Sequence, residues 1–172
     1  MISIDKAATE DVPVIQDIAR ITWYPTFEDI LSKEQISYML RMMYSTESLT
    51  EQIEVKKHQF YLAKEKNMAL GFISVELNYQ NQPVAKIHKI YILPVAQRRG
   101  LGKILMQKAE QLALENHQKL ITLNVNRFNV ALNFYSNLGY QNIKSEDIDI
   151  GNGYLMEDFV LEKKLYNEDF WI

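Results

Sequence analysis

The sequence lacks cysteine altogether, which removes disulfides, thiolate metal centres and a cysteine nucleophile together. Any acyl transfer here must be direct or must use another side chain. An excess of positive charge is also missing: 19 Lys plus Arg stand against 22 Asp plus Glu, a net charge of −3. A duplex-binding surface carries a clear surplus of basic residues, so nucleic acid is not an expected partner, whereas a small cationic ligand is easily accommodated. No uninterrupted apolar run approaches the ~18 residues of a spanning helix. The opening residues MISIDKAATE have neither the basic head nor the apolar centre of a leader. The expectation is a soluble, cytoplasmic protein with no membrane partner. Internal repeats, linkers and low-complexity tracts are absent too, and 47% hydrophobic residues over 172 are enough for one real core. A single domain spanning 1–172 is predicted.

What is present is concentrated in the stretch IYILPVAQRRGLGK, from Ile90 to Lys103. The β-branched and aromatic run Ile87, Ile90, Tyr91, Ile92 predicts a strand that stops at Pro94, and Leu101, Leu105, Ala109 and Leu112 recur at helical spacing. Between them, Gly100 and Gly102 carry no Cβ. Backbone N–H groups from Gln97 to Lys103 can therefore close around an anion that also feels the positive end of the helix. With Arg98, Arg99 and Lys103 alongside, this is a cradle for a pyrophosphate. It is not a Walker A loop, because Gly102-Lys103 is followed by Ile104 and no Ser or Thr is available for magnesium. Nor is it a dinucleotide fingerprint: the third glycine is missing, and no acidic residue of the ribose-binding type sits on an obvious following strand.

Upstream, Ile2 and Ile4 alternate with Ser3 and Asp5 in a first strand, and Thr9 is placed to cap a helix with Val12, Ile15, Ile18 and Ala19 on its apolar face. The pattern is lost at Thr22-Trp23-Tyr24-Pro25-Thr26-Phe27, whose aromatics are either a substrate wall or core packing. Helices are predicted over 33–44, with Met39, Met42 and Met43 read as gap-filling core, and over 48–56. Strands at 60–63 and 68–77 form a hairpin around Glu65-Lys66-Asn67, and 85–93 leads into the glycine turn. The long helix runs to about Asn116. Beyond it, 120–125 reads as a buried strand, and Ala131, Phe134, Tyr135 and Leu138 mark a helix closed by Gly139. Ile148, Ile150 and Phe159-Val160-Leu161 flank Gly151-Asn152-Gly153 in a terminal hairpin. Strict alternation on the central strand puts His88, Ile90 and Ile92 on one face and Ile87, Lys89 and Tyr91 on the other. His58 and His117 stand without context, and their spacing gives no metal site.

Gln97-Arg98-Arg99-Gly100-Leu101-Gly102 resembles the Q/R-x-x-G-x-G/A signature of the GNAT superfamily, the acetyl-CoA-dependent N-acetyltransferases. Asn133-Phe134-Tyr135-Ser136-Asn137-Leu138-Gly139-Tyr140 is similar to that family's F-Y-x-x-x-G-F segment, with Tyr140 for the usual Phe. The likeness runs from Ile87 to Tyr140, and the N-terminal third follows only in outline. It implies acetyl-CoA as cosubstrate and a mixed α/β (α+β) fold, a largely antiparallel sheet splayed where pantetheine enters and flanked by helices. It implies coenzyme contacts at Ile90, Tyr91 and Ile92, through backbone near the acetyl group, and at Gln97, Arg98, Arg99, Gly100, Leu101, Gly102 and Lys103 around the pyrophosphate. Tyr135 falls where the family has its coenzyme-side tyrosine. Phe128 occupies the place of a pantetheine-binding asparagine, leaving Asn129, one step later, as the preferred coenzyme contact over Asn126; helix capping is the commoner use of either. His88 falls where the family carries a base, and Glu76 on the preceding strand is its rival. Trp23, Tyr24, Phe27 and Tyr154 are the candidate acceptor-binding residues.

The segments IHKIYILP, FYSNLGY and GYLMEDFVLEKKL are most similar to the bacterial spermidine/spermine acetyltransferase group. The expected reaction is acetylation of a primary amine, a polyamine first and a peptide or protein amine second, with no metal. Glu28, Asp29, Glu157 and Asp158, expected near the mouth, suit a cationic acceptor. An alkylammonium titrates near ~10.4, so a base must take its proton, and Tyr135 would protonate or hydrogen-bond the departing thiolate. For His88 the reference pKa of about 6.5 predicts activity that rises as the ring loses its proton, against a limb near ~4.3 for Glu76. The expected partner is a small-molecule amine, and a homodimer is the other association in view. The reading from another class is an acyl-CoA-binding regulatory module without turnover, which needs the glycine loop but neither His88 nor Tyr135.

Overall fold

Strands whose apolar residues alternate can bury one face against each of two helical layers, and the computed structural model, which describes residues 1–165, is built in this way. The chain runs through β1 (Ile2–Lys6), α1 (Val12–Phe27), α2 (Lys33–Tyr44), α3 (Thr46–Glu54), β2 (Gln59–Glu65), β3 (Met68–Glu76), β4 (Val84–Ile92), α4 (Leu101–Glu115), β5 (Leu120–Asn126), α5 (Leu132–Asn137), β6 (Gln141–Gly151) and β7 (Tyr154–Lys164). The strands form a 7-stranded sheet in the order β1-β2-β3-β4-β5-β7-β6. Every neighbouring pair is antiparallel except β4–β5, which is parallel. This is the mixed, largely antiparallel architecture expected. Among the described residues no helix is long and apolar enough to cross a membrane.

One face of the sheet sets Ile73, Val75, Ile87 and Ile121 against Leu105, Met106 and Ala109 of α4. The other sets Phe60, Leu62 and Phe72 against Ile15, Ala19 and Trp23 of α1, Ile36 of α2 and Leu49 of α3. Each of the larger aliphatic and aromatic side chains removed from water contributes about 1.5–3 kcal/mol, so both helical layers are held chiefly by burial.

Several local readings need correction. α1 does not end at Thr22 but continues through Pro25 to Phe27. A proline in the last turn forfeits little of the hydrogen-bond ladder, and burial of Trp23 and Phe27 offsets it. Thr9 does not cap α1; it opens a turn of 3-10 helix, and Asp11 takes the N-cap position while its carboxylate accepts from the Ala8 amide at 2.8 Å. α3 starts at Thr46 because Ser45 caps it, accepting from the Ser48 amide at 3.1 Å. β6 is far longer than Ile148 to Ile150. It is an edge strand whose residues are mostly exposed and mostly polar or charged, so no apolar alternation marks it.

The feature that makes a site is the separation of β4 from β5. Their pairing runs only from Val84 with Leu120 to Ile87 with Leu123. Beyond that point β4 follows β3 as far as Ile92 with Gly71, while β5 follows β7 as far as Asn126 with Asp158. The sheet opens between them. At the same point β4 carries a bulge: Val75 pairs with Ile87 and Ser74 with Lys89, leaving His88 as the extra residue. A bulge shifts the alternation by one. The expected faces are therefore wrong. Ile87, Ile90 and Ile92 pack toward α4, whereas His88, Lys89 and Tyr91 lie on the α1–α3 side. Gly71 is required where β3 meets this stretch, since a Cβ there would sit 2.7 Å from the Tyr91 carbonyl oxygen.

Candidate active site

The turn before α4 has the geometry an anion needs. Arg98 and Gly100 both adopt positive φ, 63° and 78°, which turns successive amides toward one concavity. The amides of Arg98 to Lys103 donate to no protein carbonyl among the described residues; the first bond entering the helix is from Ile104 N–H to Gly100 O at 3.1 Å. A Cβ on Gly100 would meet nothing within 4 Å, so the space above the turn is open. Gly102 is constrained differently: its Cβ would lie 3.1 Å from the Phe134 ring, so this glycine also lets α4 pack on α5. Leu101 is buried with Leu70 and Ala96 and anchors the turn. Arg99 donates to Glu65 at 2.8 Å and holds that carboxyl below its usual range. Gln97 donates through Nε2 to the Ile92 carbonyl at 3.2 Å, tying the turn to the end of β4. These residues fit a pyrophosphate, with Arg98 and Lys103 supplying charge that Arg99 spends largely on Glu65.

The opening between β4 and β5 is a cavity of about 290 Å³. On the β4 edge it is lined by residues from Lys86 to Tyr91, and across the gap by Leu123 to Asn126, Asn129 and Tyr135. Ile92 lies beyond this lining. Trp23, Phe27, Met39, Met43 and Tyr44 close it from the α1 and α2 layer. Of the four acceptor-binding candidates, Trp23 and Phe27 thus reach the cavity. Tyr24 and Tyr154 do not; Tyr154 packs on Tyr38 at 5.3 Å instead. Met39 and Met43, read as core, line the cavity as well, while Met42 is exposed. Of the four acidic residues expected at the mouth only Asp158 lines it. Asn126 and Asn129 both do, and each has its side-chain oxygen engaged locally, accepting from the Phe128 amide at 3.0 Å and the Ala131 amide at 2.9 Å.

His88 and Glu76 are not independent rivals. Glu76 Oε1 lies 2.9 Å from His88 Nε2 and 3.1 Å from His58 Nε2, and the two rings stack with centroids 4.2 Å apart and planes 8° apart. His58, which looks isolated in the sequence, therefore belongs to this cluster: it immediately precedes β2, and the pairing of β2 with β3 and of β3 with β4 brings 58, 76 and 88 together. An ionised carboxylate only accepts, so both imidazoles present Nε2–H to it and leave Nδ1 unprotonated. The three side chains have the ligand types of a zinc site. A bound metal must lie in each ring plane about 2.0–2.1 Å from the nitrogen, and two stacked, near-parallel planes share no such point. The arrangement as it stands is a hydrogen-bonded one.

Burial, with the charges of Lys89, Lys56 and Lys86, lowers His58 to about 4. Burial, then His58 and the same lysines, lowers His88 to about 2. Both rings are neutral at pH 7, so the expected titration of His88 near 6.5 is corrected downward. Lys89 is itself lowered to about 8, chiefly by burial; its ammonium donates to Gln52 of α3 at 2.7 Å and sits 5.4 Å above the centre of the Tyr44 ring. On the opposite wall Tyr135 is 7% exposed, edge-on to Phe134 at 5.1 Å and to Tyr140 at 6.3 Å. Burial holds its hydroxyl well above its ordinary pKa, so it carries its proton throughout the neutral range. That hydroxyl donates to no protein acceptor among the described residues.

Comparison with known proteins bears on this geometry. A family model described as an acetyltransferase (GNAT) domain matches residues 28–157. A spermidine N(1)-acetyltransferase of Thermoplasma acidophilum is 29% identical over 168 residues, covering 95% of this chain and 97% of that protein. An uncharacterized N-acetyltransferase of Lactobacillus delbrueckii subsp. lactis is 28% identical over 170 residues, covering 95% and 98%. Among solved structures, the PaiA N-acetyltransferase of Thermoplasma acidophilum in complex with coenzyme A matches with a TM-score of 0.80 at 29% identity, over 95% of this chain and 99% of that one.

Proposed function

Since the chain belongs to the GNAT family and is an acetyl-CoA-dependent N-acetyltransferase, we propose that one domain carries the whole reaction and that its acceptor is a polyamine. The observation that carries this reading is a cavity in the sheet opening that reaches Tyr135 on one wall and His88 on the other. The name of the Thermoplasma relative supports spermidine as the acceptor to test first.

Acetyl-CoA supplies a thioester whose carbonyl carbon is open to attack by a neutral amine. The turn from Gln97 to Lys103 would hold its pyrophosphate, and backbone groups of Ile90 to Ile92, released from β5, would face the acyl end and stabilise negative charge on the carbonyl oxygen. Asn129 or Asn126, each with an amide N–H₂ to offer, would steady the pantetheine arm. The acceptor amine must lose a proton before it attacks. His88 would take it at Nδ1 while passing the Nε2 proton to Glu76, so the two residues act in series. A ring pushed as low as about 2 does not retain the charge, which favours onward transfer to the carboxylate. Tyr135, protonated at neutral pH, would give its proton to the departing thiolate.

The test is thiol release from acetyl-CoA across a panel of amines. Turnover of spermidine well above that of a peptide N-terminus supports the reading. A peptide amine turned over faster replaces the polyamine as acceptor, and coenzyme binding without thiol release from any amine would show a regulatory module instead.

A further inference from the structure

One group on the cavity wall has no part in the chemistry above. Asp158 lies on β7, in register with Asn126 of β5 and Glu146 of β6, and is only 6% exposed. Its Oδ2 accepts from Asn124 Nδ2 at 3.3 Å, a long bond, and its buried Oδ1 accepts from nothing among the described residues. The cations nearby are engaged elsewhere. Lys86 Nζ donates to the Tyr79 hydroxyl at 3.2 Å, Lys89 Nζ to Gln52, and the Arg127 guanidinium to Asp147 and to the backbone carbonyls of Glu146 and Asp158. A carboxylate withdrawn from water with an unmatched oxygen is unfavourable unless a cation meets it. The wall across from it, Trp23, Phe27, Met39 and Met43, is apolar and aromatic, a surface that accepts methylene groups and lets an ammonium approach over a ring.

We propose that Asp158 Oδ1 is the seat of a second ammonium of the acceptor, so that the site selects an aliphatic diamine or polyamine over a monoamine. The assignment rests on reading the cavity as an amine-acetylating site and adds the residue that sets its specificity. The reacting nitrogen is the one that would meet His88 and Tyr135 and must be neutral, whereas the anchored nitrogen stays charged. A monoamine placed for reaction leaves the Asp158 oxygen unmatched, so discrimination comes from an attractive pair for one acceptor and an uncompensated charge for the other.

Calorimetric titration of the parent and of Asp158→Asn with spermidine and with butylamine, coenzyme A present, tests this beside the thiol-release assay. In the parent, spermidine should bind about 10- to 100-fold more tightly than butylamine, the span expected of a hydrogen bond to a charged group. Asp158→Asn keeps the size and the acceptor for Asn124 but loses the charge, and should bring spermidine down to the affinity of butylamine with coenzyme A affinity intact. Equal affinities in the parent, or undiminished spermidine binding in Asp158→Asn, would overturn the proposal. Should Asp158→Asn fail to bind coenzyme A, the two amines in the parent together with Asp158→Glu, which restores the charge, decide it in the same way. Spermidine binding that depends on Asp158 without thiol release from any amine would remove the catalytic reading and leave this one standing. Spermidine turnover and affinity both indifferent to Asp158→Asn would do the reverse.

Discussion

The coenzyme side of the site and the acceptor side are built on opposite plans. The first, as proposed, is one short run of chain, Gln97 to Lys103, that would act through backbone amides and a helix start, so that its chemistry would depend on what side chains are absent. The second draws on α1, α2 and five strands and acts through side chains that meet only because the sheet brings 58, 76 and 88 into contact. A local backbone device is blocked by a charged or bulky side chain set into its concavity, whereas an assembled side-chain device can lose a member and keep its shape. The two sides should therefore fail differently when perturbed.

The most severe failure belongs to the coenzyme side. Gly102→Glu should abolish coenzyme A binding, because it sets a carboxylate against the pyrophosphate seat. Part of the damage is packing, since any Cβ there meets Phe134 at 3.1 Å. Gly102→Ala carries that crowding alone and should bind coenzyme A with only a modest loss of thermal stability. Calorimetry on both separates the causes, and a folded Gly102→Glu variant with parental affinity would remove this turn from the coenzyme site.

On the acceptor side the largest effect should come from Tyr135→Phe. It keeps the ring that packs on Phe134 and Tyr140 and deletes only the hydroxyl proposed as the proton donor. Loss of a general acid typically costs ~100- to 10,000-fold in rate, so kcat should fall by that order with coenzyme affinity nearly unchanged. Parental turnover in Tyr135→Phe, where chemistry limits the rate, would reduce the tyrosine to a wall.

His88→Gln comes next. It keeps bulk and a hydrogen bond toward Glu76 but cannot relay a proton, so kcat should fall with KM for the amine little changed. The profile of the parent should show no limb at the free imidazole value of about 6.5, because burial and neighbouring positive charge lower His88 to about 2. A limb at 6.5 that vanishes in His88→Gln would mean that the ring is solvated and titrates alone.

How much of this could be read from the sequence follows from the same division. The strand, proline, glycine turn and amphipathic helix are contiguous, so the motif from Ile90 to Lys103 was legible, and the mixed antiparallel fold followed from the family resemblance that this motif carries. The bulge at His88 was not, because a period of two has no mark for an inserted residue, and missing it sent His88 to the wrong face. His58 carried no sign of its role, since its neighbours lie 18 and 30 positions away and touch it only through strand pairing. Met39 and Met43 have core spacing and cavity function at once, because a cavity is a gap in a core. Asp158 was one of four acids expected near the mouth, and only its burial and its place on the cavity wall single it out from Glu28, Asp29 and Glu157.

The smallest effect concerns stability and isolates the neutral pair of rings. His58 at about 4 and His88 at about 2 lie below the unfolded value of about 6.5, so between those limits the unfolded chain binds protons that the folded chain refuses. Their contribution to stability is complete above about pH 6.5 and declines as the pH falls through 6.5 toward 4 and then 2. Asp158 works in the opposite sense, since burial raises its carboxyl and the folded chain takes up that proton first, so the slope of the parent alone is ambiguous. The difference between the parent and a His58→Gln, His88→Gln double variant removes every group common to both. The double variant should be less stable than the parent at pH 7.5, where the ring stack is lost, and the gap should narrow as the pH is lowered to 4.5. About 1 kcal/mol corresponds to about 2–4 °C in Tm for a chain of this size, so melting curves at intermediate pH values resolve the convergence. Curves that stay parallel would mean that both histidines take up protons as readily in the fold as outside it, and the stacked rings would then be held as charged partners of Glu76.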